Sequence, residues 1–370
     1  MGTSSKTESD AARGEHRFGC SAPLTIGVEE ELLLVDGELG LVAEGEKVMD
    51  EIDPDHRGSV STEIFATQIE LKTGVCRDAG QAACELAEVR RAVTGTGARL
   101  MGSGLYPGDS GDPALVEKAR YVPVKNDLGS LLSTPPCGLH VHVGVPDPET
   151  AVAVANAMRH HLPVLAALAA NSPFSDGEDT GMASARARVV RSYPRFELPR
   201  AFDDFEDFLS VADQLIAAAG VDDYTYIWWD VRPHPNLGTV EVRGMDVQAR
   251  PQESAAIAAL IQALAAKEID SPSPVNLARE AIEESYYQAG RYGLEARLMV
   301  DDHTAAPALD VARGTLEEAR PYAAELGGEA ALEEIDRILS DGNGADRQRR
   351  VNGERGMDAL LQDLAERSRV

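Results

Sequence analysis

The sequence predicts an α+β fold built on antiparallel strands, and three observations lead there. Strand-like and helix-like segments intermingle over the 370 residues without a regular βαβ alternation. Four strand-like segments carry polar side chains two residues apart, the spacing that places both on one side of a sheet. They are Glu29 and Glu31 in TIGVEEELLLVD, Gln68 and Glu70 in ATQIELKTG, His140 and His142 in CGLHVHVGV, and Glu241 and Arg243 in GTVEVRGMD. No internal repeat, low-complexity block or linker divides the chain, so residues 21–370 are expected to form a single domain behind a loose tail of residues 1–20.

Residues 24–36 alternate as a strand, except that Glu30 falls on the otherwise apolar face. A second strand is read at 63–73, where Ile69 and Leu71 oppose Gln68, Glu70 and Lys72. Ala, Leu and Val at helical spacing mark a helix over 79–97, and ARLMGSGLYPG reads as a strand closed by a Pro-Gly turn. Residues 107–135, rich in Gly, Pro and Asp, form a long loop with at most one helix. The strand CGLHVHVGV is followed by PDPET, a helix start with Pro and acid in the first turn, and the helix runs from about 149 to 170. A helix covers 203–219, and TYIWWDVRPH and GTVEVRGMD flank the turn Pro235–Gly238 as a hairpin. Helices follow at 251–268, 276–289, 308–325, 329–340 and 355–367.

Composition narrows the function. With 35 basic and 62 acidic residues the net charge is −27, which argues against nucleic acid as a partner bound through a general basic surface. Only six of the basic residues are Lys, a bias that fits a GC-rich genome or a high-salt habitat equally. No apolar run approaches the ~20 residues that span a bilayer, and the polar start is no secretory signal. A cytoplasmic location is expected. Cys20, Cys76, Cys84 and Cys137 form neither a C-x-x-C unit nor a zinc-finger spacing, and read as unpaired thiols.

Taken singly, each polar pair fits the solvated face of an antiparallel sheet. Their recurrence, with Glu and His favoured, points instead to one face suited to divalent cations and phosphate. No P-loop, G-x-G-x-x-G after a strand, G-x-S-x-G or H-E-x-x-H occurs, so a bound nucleotide would have to be held by metal ions and Arg. His140 and His142 could ligate a metal, contact phosphate or hydrogen-bond in a polar cleft. Glu63 and Glu70 are seven apart, which puts them on opposite faces of a straight strand unless a bend intervenes. An Arg at 243 beside metal-bound carboxylates is placed to stabilise a transferring phosphoryl group. Of Arg186, Arg188 and Arg191, one or two could take a substrate carboxylate.

GVEEELLLVD, CGLHVHVGV, ANSPFSDGEDTGMASARA and TVEVRGMDVQARP resemble, in this order, motifs of the glutamate–cysteine ligase type 2 family of bacterial and archaeal carboxylate–amine ligases. GRYGLEARLM resembles a later family segment; the resemblance spans about residues 24–330 and is weakest at 107–135. It implies a fold like the catalytic domain of glutamine synthetase and the guanido kinases, a curved antiparallel sheet funnel with outer helices. It implies ATP, Mg²⁺ and an acyl phosphate. Carried over motif by motif, Glu29 and Glu31 match a first metal-binding pair, Glu63 and Glu70 a second acidic pair, and Glu241 a further metal ligand. His140 matches a His near the metal and phosphate, with His142 beside it toward the nucleotide. Arg243 matches the Arg facing the transferred phosphoryl group, and Arg186 an Arg contacting substrate. The expected activity is ATP-dependent ligation of small molecules, glutamate to cysteine. A ligase for another amine and a guanido-type phosphotransferase stay open, as does oligomeric state, a homodimer included.

Overall fold

A computed structural model of the chain describes residues 16–118, 121–274 and 277–370. The branched and Leu-rich run Ile26–Val35 forms β1, the longest strand, and its two edges organise the sheet. The other strands are β2 (Val60–Thr62), β3 (Gln68–Lys72), β4 (Arg99–Met101) and β5 (Gly138–Gly144). A separate two-stranded pair, β6 (Phe174–Ser175) and β7 (Glu178–Asp179), precedes β8 (Val231–His234) and β9 (Thr239–Asp246). The main sheet runs β2-β3-β1-β5-β9-β8, with β4 continuing past β5 along the same edge of β1. Every pairing in it is antiparallel, and its outer strands do not meet, so the sheet is open. The fold is therefore α+β with an antiparallel sheet, as the sequence led us to expect.

One side of the sheet is apolar. Val28 of β1, Leu139, Val141 and Val143 of β5, and Val240, Val242 and Met245 of β9 are buried against helices. Two of these helices are Pro148–Ala169 and Pro251–Asp270. The first begins as its sequence dictates: Asp147 accepts a hydrogen bond from the Thr150 N–H at 2.8 Å, with Pro148 in the first turn. The second is Ala- and Leu-rich and buried nearly all round, which suits a central helix. Small side chains let helices stack closely in a chain with 5% aromatic residues.

Three expectations need correction. The strand read at 63–73 is two strands: β2 pairs with β3 through Ser61↔Glu70 and Thr62↔Ile69, and residues 63–67 turn the chain between them. Glu63 and Glu70 thus reach one face across a hairpin, not along one strand. The helix read at 355–367 is preceded by another, Gly344–Arg355, whose polar sequence lacks apolar periodicity; Gly356 at φ +84° separates the two. Lastly, residues 16–20 of the expected tail are docked: Phe18 is buried, the Arg17 N–H donates to Pro235 O and the Gly19 N–H to Val145 O. Residues 1–15 of that tail lie outside the described residues.

Glu30 explains its own oddity. It points to the apolar side of β1 and is fully buried, and both its oxygens accept from Arg90, at 2.8 Å from Nε and 2.8 Å from Nη2. Ser254 Oγ donates to Oε1 at 2.5 Å. Arg90 also donates to the carbonyls of Ala249 and Ser368. The pair ties β1 to the helix Ala79–Gly95, the helix at 251 and the C-terminal region.

Candidate active site

The other side of the sheet carries the polar residues, and the register aligns them. Glu29 lies opposite His140, Glu31 opposite Glu70, and His142 opposite Glu241. Most of this face is withdrawn from solvent, with Glu29, Glu31 and Glu70 half-buried. All seven residues of β5 are buried, and His140, His142 and Glu241 are 3%, 5% and 1% exposed. The loops above it supply Tyr193, Phe196, Tyr226 and Trp228.

The site has two halves. In the first, ligand atoms of Glu29, His142 and Glu241 all lie within 4.8 Å of one another. His142 Nε2 is 3.6 Å from Glu29 Oε1 and 3.9 Å from Glu241 Oε1. His142 Nδ1 is 3.0 Å from Thr239 Oγ1, which aims Nε2 inward, where it is buried without a hydrogen-bond partner. Arg232 Nε donates to Glu241 Oε2 at 2.7 Å, and Arg243 Nη1 donates to Oε1. Burial opposes ionisation of Glu241, but the Arg232 and Arg243 guanidinia outweigh it and hold the carboxyl well below the usual carboxylate range. Burial opposes ionisation of Glu29 too, and the His140 and His142 rings likewise hold it well below that range. Both are carboxylates at neutral pH.

The second half is a cleft lined by Glu31, Glu63, Gln68, His140, Arg186 and Arg243. His140 joins the halves, its Nδ1 3.4 Å from Glu29 Oε2 and its Nε2 3.9 Å from Glu31 Oε1. Glu31 accepts from the Gly138 N–H at 2.6 Å. Arg186 is 2% exposed, and its Nε and Nη1 have no hydrogen-bond partner. Gly138 makes room for it: a Cβ there would sit 2.3 Å from Arg186 Nη2. Tyr193 OH, on the same cleft, is also buried and unpartnered.

The three arginines of the 186–191 segment separate. Only Arg186 enters the cleft; Arg191 pairs with Asp230 through two bonds of 2.9 and 2.6 Å, and Arg188 lies over the Tyr287 ring. Glu70 shares the polar face but stands apart from the three clustered donors, bonded to Ser61 Oγ at 2.7 Å.

Sequence reasoning missed Arg232 and Asp246. Arg232 was within reach, since a turn at 235–238 pairs 234 with 239 and hence 232 with 241. Asp246 was not. A bulge between the Leu139 and Val141 pairings brings Asp246 to the polar side, three residues after Arg243. There it accepts from Ser172, Ser184 and the Asn171 N–H, with Oδ1 3.9 Å from Arg186 Nη1.

A sequence model of glutamate-cysteine ligase family 2 matches residues 25–363. The chain belongs to this family. A Rubrobacter xylanophilus protein provisionally named glutamate–cysteine ligase 2-1 is 38% identical to this family member over 347 residues, covering 91% of the chain and 92% of the relative. The glutamate–cysteine ligase of Natronomonas pharaonis is 34% identical over 370 residues, covering 92% and 95%. Among solved structures, the Francisella tularensis glutamate–cysteine ligase in complex with AMP superposes with a TM-score of 0.69 at 14% identity, over 93% of this chain and 88% of that one. At that identity the likeness concerns the fold.

Proposed function

We propose that this chain is an ATP-dependent carboxylate–amine ligase that joins glutamate to cysteine, giving γ-glutamylcysteine through an acyl phosphate. The observation that carries this reading is membership of glutamate-cysteine ligase family 2 across residues 25–363. The buried face of carboxylates, imidazoles and guanidinia supports it. A carboxylate is a poor acyl donor until phosphorylated, and phosphoryl transfer calls for positioning and charge neutralisation more than for a protein nucleophile.

The donor set fits a divalent cation. Glu29 and Glu241 offer ionised oxygens, and the His142 Nε2 lacks a partner. We read these three as holding one Mg²⁺, with Glu31, Glu63 and Glu70 as the further acidic ligands. The bound cation would neutralise phosphate charge. Arg243 already touches Glu241, while its buried Nε is unpartnered and so free to meet a phosphoryl oxygen. His140, between the two halves, would orient the reacting groups. Arg186, backed by Asp246, presents unpartnered N–H groups suited to the carboxylate of an amino acid.

The kinship with glutamine synthetase and the guanido kinases is part of this reading, supported by the open antiparallel sheet with helices against its apolar side. So is a single catalytic unit spanning residues 21–370. A cytoplasmic setting is supported by the four free cysteines. Among the described residues no helix is long and apolar enough to cross a membrane.

Two experiments test the mechanism. Glutamate labelled with ¹⁸O in its γ-carboxylate should pass one labelled oxygen to the released phosphate when cysteine is present. Unlabelled phosphate formed beside true amide product rules the acyl phosphate out; labelled phosphate with another amine overturns only the choice of cysteine. Arg243→Lys keeps a charge for Glu241 but loses the planar fork. Its turnover should fall on the order of 10²–10³ with ATP affinity near normal. Lost ATP affinity with normal turnover would place Arg243 in ground-state binding instead.

A further inference from the structure

Away from the polar face of the sheet, a second cleft concentrates positive charge in this strongly acidic chain. It lies between the N-terminus of the helix Pro251–Asp270 and the helices Glu329–Asp341, Gly344–Arg355 and Met357–Arg367. Its volume is about 190 Å³, where about 10–15 Å³ is enough for one water. Five arginines line it, namely Arg250, Arg337, Arg347, Arg350 and Arg367, against the carboxylates of Glu253, Glu334 and Asp341. Asp363 holds Arg347 from outside the lining. Counting it, five cations face four anions in a chain of net charge −27.

The pairing is shared out thinly. Glu253 serves both Arg250 and Arg367, and Glu334 serves both Arg250 and Arg337. Among the described residues Arg350 has no ion pair, only a 3.5 Å contact with Asp341 O. Burial lowers the Arg367 pKa despite its pairing with Glu253, and Arg347 and Arg250 nearby add to the effect. Among the described residues Arg337 and Arg367 each give a carboxylate a single N–H and Arg350 gives none, which leaves guanidinium donors along the cleft for phosphate or carboxylate.

We propose that this cleft is a second, non-catalytic binding site for a small polyanion, one bearing phosphate or several carboxylates. The floor of the cleft includes Asn171, whose N–H donates to Asp246 Oδ2 at 2.8 Å, so an occupant would lie one hydrogen bond from the residue that backs Arg186.

The test is calorimetric titration of the full chain with inorganic pyrophosphate and, separately, with citrate, in metal-free buffer at fixed ionic strength. At least one probe should bind saturably to the wild type. Binding should persist in Arg186→Gln, which alters the catalytic cleft, and weaken about tenfold or more in the double variant R337Q/R350Q. R337K/R350K, which keeps the charge without the fork, should fall between. The tighter probe identifies the chemistry as phosphate or polycarboxylate. Should R337Q/R350Q fail to fold, the exposed single change Arg350→Gln carries the same prediction of weakened binding. No saturable binding of either probe overturns the proposal. So does binding unchanged by the Arg337 and Arg350 variants, or binding lost in Arg186→Gln, which would assign the anion to the catalytic cleft.

Discussion

Glu241→Gln should leave no measurable ligase turnover and should also destabilise the protein by about 3–5 kcal/mol. The two effects share one cause. Glu241 is buried between Arg232 and Arg243, each bonded to a different oxygen. Gln is nearly the same size, yet it turns one oxygen into an N–H₂ donor facing a guanidinium and leaves two buried cations without their anion. The stability loss is read from urea unfolding at unchanged m-value, and turnover is measured on the folded fraction. A third readout separates metal binding from folding. Mg²⁺ should raise the unfolding midpoint of the wild type through preferential binding to the native state, and should not raise that of the variant. A variant that stays active, or is still protected by Mg²⁺, removes Glu241 from the proposed metal site.

Glu30→Gln should cost about 3–5 kcal/mol with no direct contact to the polar face. Arg90 and Glu30 are both completely buried, so loss of one charge strands the other. Replacing the pair together, Glu30→Met with Arg90→Leu, should recover part of the loss by removing both buried charges; the rest remains because the Ala249 and Gln248 carbonyls and the Ser254 hydroxyl lose their partners. The paired comparison by denaturant midpoint checks this. A single change costing under about 1 kcal/mol would mean that water reaches Arg90.

Much of this arrangement was legible because strand geometry is periodic. Spacing of two along β1, β5 and β9 placed Glu29 with Glu31, His140 with His142 and Glu241 with Arg243 before any pairing was known. What spacing could not decide was whether the face met water. That depends on the segments carrying Tyr193 and Trp228, whose sequences announce loops but not their destination. The hairpin that brings Glu63 round was missed because a hairpin and a continuous strand read alike when the turn, IFAT, has neither Gly nor Pro. Asp246 was hidden by a bulge, which changes the side a residue faces without a strong mark in the residues themselves. Glu30 looked like a flaw in the alternation, and its partner stands 60 positions away. The fold class survived these errors because it rests on which elements exist more than on where each begins.

Glu30 also bears on how the chain is made. A slip of β1 by one residue would send Glu29 and Glu31 into the helical layer and turn Glu30 toward the polar side. The three consecutive glutamates themselves resist this weakly, because they look alike from either side. Arg90 favours the observed register, and Arg90 is itself held by the carbonyls of Ala249 and Ser368, while the Gly102 N–H donates to Ser368 Oγ at 2.8 Å. On a translating ribosome, β1 therefore emerges before the arginine that anchors Glu30. Register here is a long-range property: which carboxylates of β1 face the cleft depends on a helical arginine 60 positions further along the chain.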